Sequence, residues 1–280
     1  MNPRFHMIVD VSRWLAIASL ITAVSLSPIP SARAEFVDTR PSRPDTDSTV
    51  PTTARYVPPE RSAPRPGSTA PGTSRGNGCS SASTAGLVPL APQAHIGLTQ
   101  TVQPTIAWFN PETEDYTIEF RIAEHLPDGG FNIVYETEFT SAEKTLPSGI
   151  TVVSLEATDT ELAPGKTYRW QAVLVCDPNR PSESLVAESD IQVISASDDL
   201  EATLLTLATA SQRADFYASQ SLWYDAMGEV LMADDDEAQA VQLDFLNDLA
   251  LLEAAATSAS EQNTNLSYDE RLRMVIAQIQ

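Results

Sequence analysis

The sequence predicts a β-sandwich followed by a small all-α unit. Three observations predict it. Between residues 79 and 197, short runs of alternating apolar and polar residues recur, separated by turn formers. After Ser197 the apolar period changes from two to that of a helix. No helical pattern interrupts the strand-like runs, which excludes the alternating pattern of a parallel α/β sheet.

The strands come in order. A weak run lies near Ile96 to Thr101. Thr105 to Phe109 (TIAWF) is closed by Asn110-Pro111. Tyr116, Ile118, Phe120 and Ile122 alternate with Thr117, Glu119 and Arg121. Pro127-Asp128-Gly129-Gly130 is a turn. Phe131, Ile133, Tyr135, Thr137 and Phe139 then form the next period-2 face. Ile150 to Leu155 is a β-branched run, and Leu185 to Ile194 completes the set of about seven strands. Between these last two, Pro164-Gly165 turns into Tyr168, Trp170, Ala172, Leu174 and Cys176 on one face.

That turn sharpens the class. A tight turn three residues before a strand Tyr is the setting of a tyrosine corner, whose hydroxyl bonds the backbone upstream. Pro104 to Trp108 resembles the Trp-bearing second strand of fibronectin type III-like domains. The sandwich is therefore of the immunoglobulin or fibronectin type III-like class. Trp108 and Trp170 read as core residues before they read as a sugar-stacking platform.

The helical third follows from its stripes. Leu200, Leu204 and Leu207 make one. Trp223, Ala226, Met227, Val230 and Leu231 make a second. Asp234-Asp235-Asp236 breaks the chain and caps a helix bearing Ala238, Val241, Phe245, Leu249 and Leu252. Ser267-Tyr268-Asp269-Glu270 is a capping box before Leu272, Val275, Ile276 and Ile279. Residues Tyr217 to Met227 resemble one tetratricopeptide helix pair, too few for a solenoid.

Residues 1–34 read as a secretory signal: Arg4 and Arg13, a 13-residue run Trp14 to Leu26, then Ala32-Arg33-Ala34 before Glu35. A membrane span needs about 20 apolar residues, so none is expected after cleavage. Residues 35–78 hold eight prolines and few large apolar residues, and read as a disordered, Pro-rich linker. The sandwich is then 79–197 and the helical region 198–280. The chain carries 38 acidic against 17 basic residues, a formal charge of −21. That balance argues against nucleic acid, which needs clustered Lys and Arg. Export implies an oxidising compartment, periplasmic or secreted, so Cys79 and Cys176 are expected to pair.

Chemistry-bearing patterns are sparse. His95 and His125 lie far apart without metal-ligand spacing and read as surface or loop residues. No G-x-S-x-G elbow or Gly-rich phosphate loop is present. Glu119, Glu136 and Glu138 read as a solvated sheet face. Asp234 to Glu237 reads as a helix cap, not a Ca²⁺ loop. No catalytic, cofactor or metal residue is assigned. Asp177 and Arg180, beside the second Cys, are a candidate contact loop; Asp-Pro-Asn also forms a turn in which Arg180 pairs with Asp177.

The ordered pieces resemble a largely cyanobacterial family, domain of unknown function 928. They are Gly76 to Cys79, Pro104 to Pro111, Pro164 to Trp170, Cys176 to Ser182, and Trp223-Tyr224-Asp225-Ala226 in the helical tail. Two places depart from the family pattern. Arg180 comes before Pro181 instead of directly before the Ser. Ala187 to Val193 lacks the Trp and Arg of the family's last strand. The resemblance implies no activity. The expected function is an exported, non-catalytic interaction module with a protein partner in the cell envelope. The alternative is a carbohydrate-binding or glycan-acting extracytoplasmic protein, which needs an exposed aromatic row or a carboxylate cleft. Fold alone decides neither.

Overall fold

The computed structural model describes residues 56–59, 79, 86–146, 148–257 and 266–280. They belong to a unit spanning Pro51–Gln280. The signal reading at 1–34 and most of the linker lie outside the described residues.

The strands are β1 (Val88–Pro89), β2 (Gly97–Thr99), β3 (Thr105–Phe109), β4 (Thr117–His125), β5 (Phe131–Thr140), β6 (Ile150–Ser154), β7 (Thr167–Val175) and β8 (Leu185–Val193). They form two sheets, ordered β1-β3-β6 and β2-β8-β7-β4-β5. Pairing is antiparallel except where β2 runs parallel to β8. The weak run near Ile96 is β2. The two-residue β1 is too short to leave a periodic signal.

Alternation explains why β7 folds as it does. Tyr168, Trp170, Ala172 and Leu174 are buried, whereas Arg169, Gln171 and Val173 between them are only half-buried. Trp108 and Trp170 are fully buried and stack with ring centroids 6.1 Å apart, and Phe120 stacks on Trp108 at 5.6 Å. The tyrosine corner forms. The Ala163 N–H donates to the Tyr168 hydroxyl oxygen at 2.8 Å, and Gly165 supplies the left-handed residue of the turn (φ +82°).

On β5 the structure differs from the alternation the sequence suggests. Ile122 pairs with Tyr135 but Ala123 pairs with Ile133, so Val134 is an extra residue. A bulge shifts every later side chain to the other face. Tyr135 and Phe139 turn inward, half-buried, while Phe131 and Ile133 point outward, each 51% exposed.

The helices are α1 (Ser141–Lys144), α2 (Asp198–Leu204), α3 (Ala210–Ser219), α4 (Trp223–Met232), α5 (Asp236–Thr257) and α6 (Tyr268–Ile279). The stripe in α2 is only half-buried, and α2 contributes no buried residue. The other stripes pack inward as their spacing predicts. Asp235 caps α5 by accepting from Ala238 N–H at 2.8 Å, and the capping box at Ser267 and Glu270 forms. α3 and α4 pack against each other, and α4 also packs on β2 and β3.

The segment 87–101 is the seam between sheets and helices. It leaves the smaller sheet after β1 and joins the larger one at β2. Its backbone groups are met by helix side chains. The Trp223 indole N–H donates to the Leu90 carbonyl at 3.0 Å. The Gln100 and Thr101 N–H groups donate to the Asp225 carboxylate at 3.1 and 3.2 Å. The Gln93 and Ala94 N–H groups donate to Glu253 at 2.7 and 3.0 Å. The Tyr268 hydroxyl bonds the Pro89 carbonyl at 2.6 Å, and Arg271 donates to the Leu87 carbonyl. The core is continuous across this seam.

The linker reading does not hold at Tyr56–Pro59. Tyr56 is 4% exposed, stands edge-on to Trp223 at 4.8 Å, and takes its N–H to Asp248 at 3.2 Å. One aromatic ring buries enough apolar area to anchor a segment whose average composition is that of a tether. No helix among the described residues is long and apolar enough to cross a membrane.

Candidate functional site

The sequence-flagged residues fall into three places. Cys79 and Cys176 form a disulfide at the end of β7, with Cα atoms 4.9 Å apart. Beside it, Asp177 to Arg180 is an exposed turn. Arg180 Nε donates to Asp177 at 2.9 Å and its Nη1 to Glu183 at 2.7 Å, while Asn179 N–H also donates to Asp177 at 2.9 Å. Those bonds hold the Asp177 carboxyl below its usual range, Arg180 first. Arg180 is thus engaged locally, as the turn reading predicts.

Neither histidine stands open on the surface: His95 lies in the loop before β2, as expected, but is buried, and His125 ends β4 largely covered. His95 is 5% exposed, and its Nε2 lies 2.8 Å from the Tyr56 hydroxyl. Burial lowers its pKa to about 4, so the ring is neutral. Its partner is 39 residues upstream, across a segment no local pattern connects. His125 ends β4, with Nε2 3.2 Å from a fully buried Asp190 oxygen.

The four residues of the Trp223-Tyr224-Asp225-Ala226 motif are all buried at the start of α4. The Tyr224 hydroxyl accepts from the Trp170 indole N–H at 2.8 Å and donates to the Asp190 carbonyl at 3.2 Å. Burial raises the Asp225 carboxyl to about 6 against the bonds that lower it. The motif is spent on the seam.

Two surface features are left over, at opposite ends of β5. At its start, Phe131 and Ile133 stand on the outer face of the five-stranded sheet, opposite His125 and Ala123. The Arg169 guanidinium lies 5.6 Å from the Phe131 ring centroid and the His125 ring 4.7 Å from it. Arg169 is held by a two-point bond to Asp190, at 2.8 and 3.0 Å, which raises its pKa further. This is a rigid cluster of an aromatic ring, an aliphatic side chain and an oriented arginine. The turn Leu126–Gly130 positions it, with Gly129 at φ +84° and Gly130 N–H bonded to Asp128 at 2.9 Å. Period-2 reading missed the cluster because it sent Phe131 inward. Trp108 and Trp170 give no exposed platform. Glu119, Glu136 and Glu138 are exposed on strand faces.

At the other end of β5, a cleft of about 190 Å³ opens between the β3–β4 loop and α1. It is lined by Asn110, Glu112, Thr113, Glu114, Asp115, Ser141, Ala142 and Thr145. No group of three His, Cys, Asp or Glu residues suited to a metal ion occurs among the described residues.

A model of the family described as Domain of Unknown Function (DUF928) matches residues 70–260. No curated protein matches the chain. Among solved structures, a crystal structure of Bacteroides uniformis beta-glucuronidase is similar at 20% identity, with a TM-score of 0.19. That similarity covers 38% of this chain and 12% of the glucuronidase chain, and at such a score it carries no argument.

Proposed function

This chain belongs to the DUF928 family, and we propose that it acts as an exported, non-catalytic interaction module whose partner is a protein of the cell envelope. The observation that carries the reading is the Phe131, Ile133 and Arg169 cluster. Exposed apolar side chains grouped with an arginine held in place are the composition of interface hot spots. The guanidinium loses little freedom on docking, because Asp190 already orders it. We read the two sheets as an immunoglobulin or fibronectin type III-like sandwich, supported by their strand order and the Tyr168 corner. Export, to the periplasm or beyond, is supported by the leader pattern at Ala32 to Ala34 and by the disulfide. The glycan-binding alternative loses Trp108 and Trp170 as stacking surfaces, since both are core.

The test is chemical crosslinking in the native envelope with the full chain and with a Phe131→Ser/Ile133→Ser variant. The native chain is expected to yield one dominant protein adduct. The variant, equally stable because both side chains are half in solvent, is expected to lose it. An adduct unchanged in the variant removes the cluster from the interface; crosslinks confined to the chain itself contradict the reading.

A further inference from the structure

The cleft at the end of β5 is lined by two buried side chains that carry unpaired polar atoms. Glu112 is 7% exposed, and neither of its carboxylate oxygens has a hydrogen-bond partner. The Asn110 side-chain N–H₂ is buried and equally without an acceptor. Buried polar groups are nearly always satisfied, and a buried carboxylate is costly unless paired. Both residues line the same cleft, and its other charged lining groups, Glu114 and Asp115, are also acidic. Lys144, the basic residue of α1, is not part of the lining.

We propose that this cleft receives an arginine side chain of the protein partner, with the guanidinium on Glu112 and a carbonyl of the same peptide on the Asn110 amide. The inference rests on the interaction-module reading only in taking the carrier to be a protein. Three features select this ligand. First, two unpaired oxygens on one carboxylate match the two-point fork of a guanidinium better than the point charge of an ammonium. Second, the Asn110 amide is fixed by its oxygen, which accepts from the Glu112 N–H at 3.1 Å, so the group it leaves unpaired is the N–H₂. Its N–H₂ therefore asks for an acceptor, which a peptide carbonyl supplies and a bare cation does not.

Third, the remaining oxygens are partly committed. Asp115 Oδ1 accepts from Ala142 N–H and Ser141 Oγ at 2.9 and 3.2 Å, and Glu114 accepts from the Tyr116 hydroxyl at 3.0 Å. Calcium wants six to eight oxygens around it. The volume, about 190 Å³, is also below the roughly 300–1,000 Å³ of small-molecule sites, and suits one side chain. Charge complementarity points the same way: from Cys79 onward the chain carries 32 acidic and 8 basic residues.

The experiment is an NMR titration of the isotope-labelled mature chain with acetyl-Gly-Arg-Gly-amide. A peptide with neutral citrulline in place of arginine, and calcium chloride alone, are the comparison probes. The arginine peptide is expected to shift the Asn110 side-chain amide and the backbone amides of Glu112 and Ala142. The citrulline peptide is expected to bind at least about tenfold more weakly. Glu112→Gln, which keeps the shape, and Glu112→Asp, which keeps the charge but withdraws it, are both expected to lose the shifts with the fold intact. Equal binding of the two peptides, no shift with either, or saturation by calcium at lower concentration overturns the proposal. Failure here, with the Phe131-dependent adduct retained, removes the cleft and leaves the module. Binding here without that adduct does the reverse.

Discussion

Trp223, Tyr224 and Asp225 on α4 and Phe131, Ile133 and Arg169 on the outer sheet are both clusters of aromatic and charged side chains, and the molecule spends them differently. The α4 cluster is buried, and its polar atoms reach Leu90, Asp190, Gln100 and Thr101 on the sandwich side. Phe131 and Ile133 are half in solvent, and Arg169 beside them is ordered by Asp190 with only part of its side chain exposed. A motif that looks functional because it is rich in Trp, Tyr and Asp is here an architectural bolt. The residues available to a partner are those whose bonding stops short of burial. The Asn110 and Glu112 pair is the third case, buried but with polar atoms left open.

The largest effect on this contrast comes from the covalent tie. Replacing both cysteines (Cys79→Ala/Cys176→Ala) opens a loop closed across a sequence separation of 97 residues. A loss of about 4–5 kcal/mol is expected in urea unfolding of the chain. An unchanged midpoint would show that the seam and core hold the segment after Cys79 without it. Next is the seam itself. Trp223→Ala removes a ring that touches Tyr56, Phe245 and the Leu90 carbonyl. It is expected to cost about 3–5 kcal/mol. Loss of the helical signal alone, with the sandwich still folded, would break the view that the two halves share one core.

Smaller is Gly97→Ala. A Cβ there would stand 2.6 Å from the Tyr224 ring, so the ring or β2 must shift. A cost of about 1–3 kcal/mol is expected from this overpacking, read as a lowered midpoint. The smallest effect is electrostatic. Burial, with Asp244 and Glu237 nearby, raises the Asp215 carboxyl to about 6. Its folded-state pKa lies above the unfolded value, so its protonation favours the fold. Stability from this group rises as the pH falls through about 6 and levels off below about 4. Asp215→Asn is expected to raise the melting temperature at pH 8 and to leave it unchanged near pH 4. A gain of equal size at both values would locate the effect elsewhere.

Strands β2 to β8, the Tyr168 corner, the disulfide partners and the capping box at Ser267 were legible because each depends on residues close in sequence or on pairing arithmetic. Other features depend on distant partners. Nothing local to Phe131-Asn132-Ile133-Val134 announces the bulge, which arises where β5 must match both the turn at Gly129 and the inward Tyr135. The Tyr56 anchor bonds Asp248, 192 residues away, and linker composition averages it out. His95 is buried by that same ring. Glu112 sits in a run of acidic residues that reads as solvated, and only the packing of α1 against the β3–β4 loop encloses it. The seam motif was visible as a motif, but its role is a set of bonds to residues more than thirty positions away.

The contrast between a spent seam and an available sheet face is tested most directly by a photo-crosslinking amino acid placed at position 131, and in a second preparation at the exposed position 251 on α5, in the full chain in its native cells. The account predicts a single protein adduct from position 131 and none from position 251. The reverse pattern, or the same adduct from both, would contradict it.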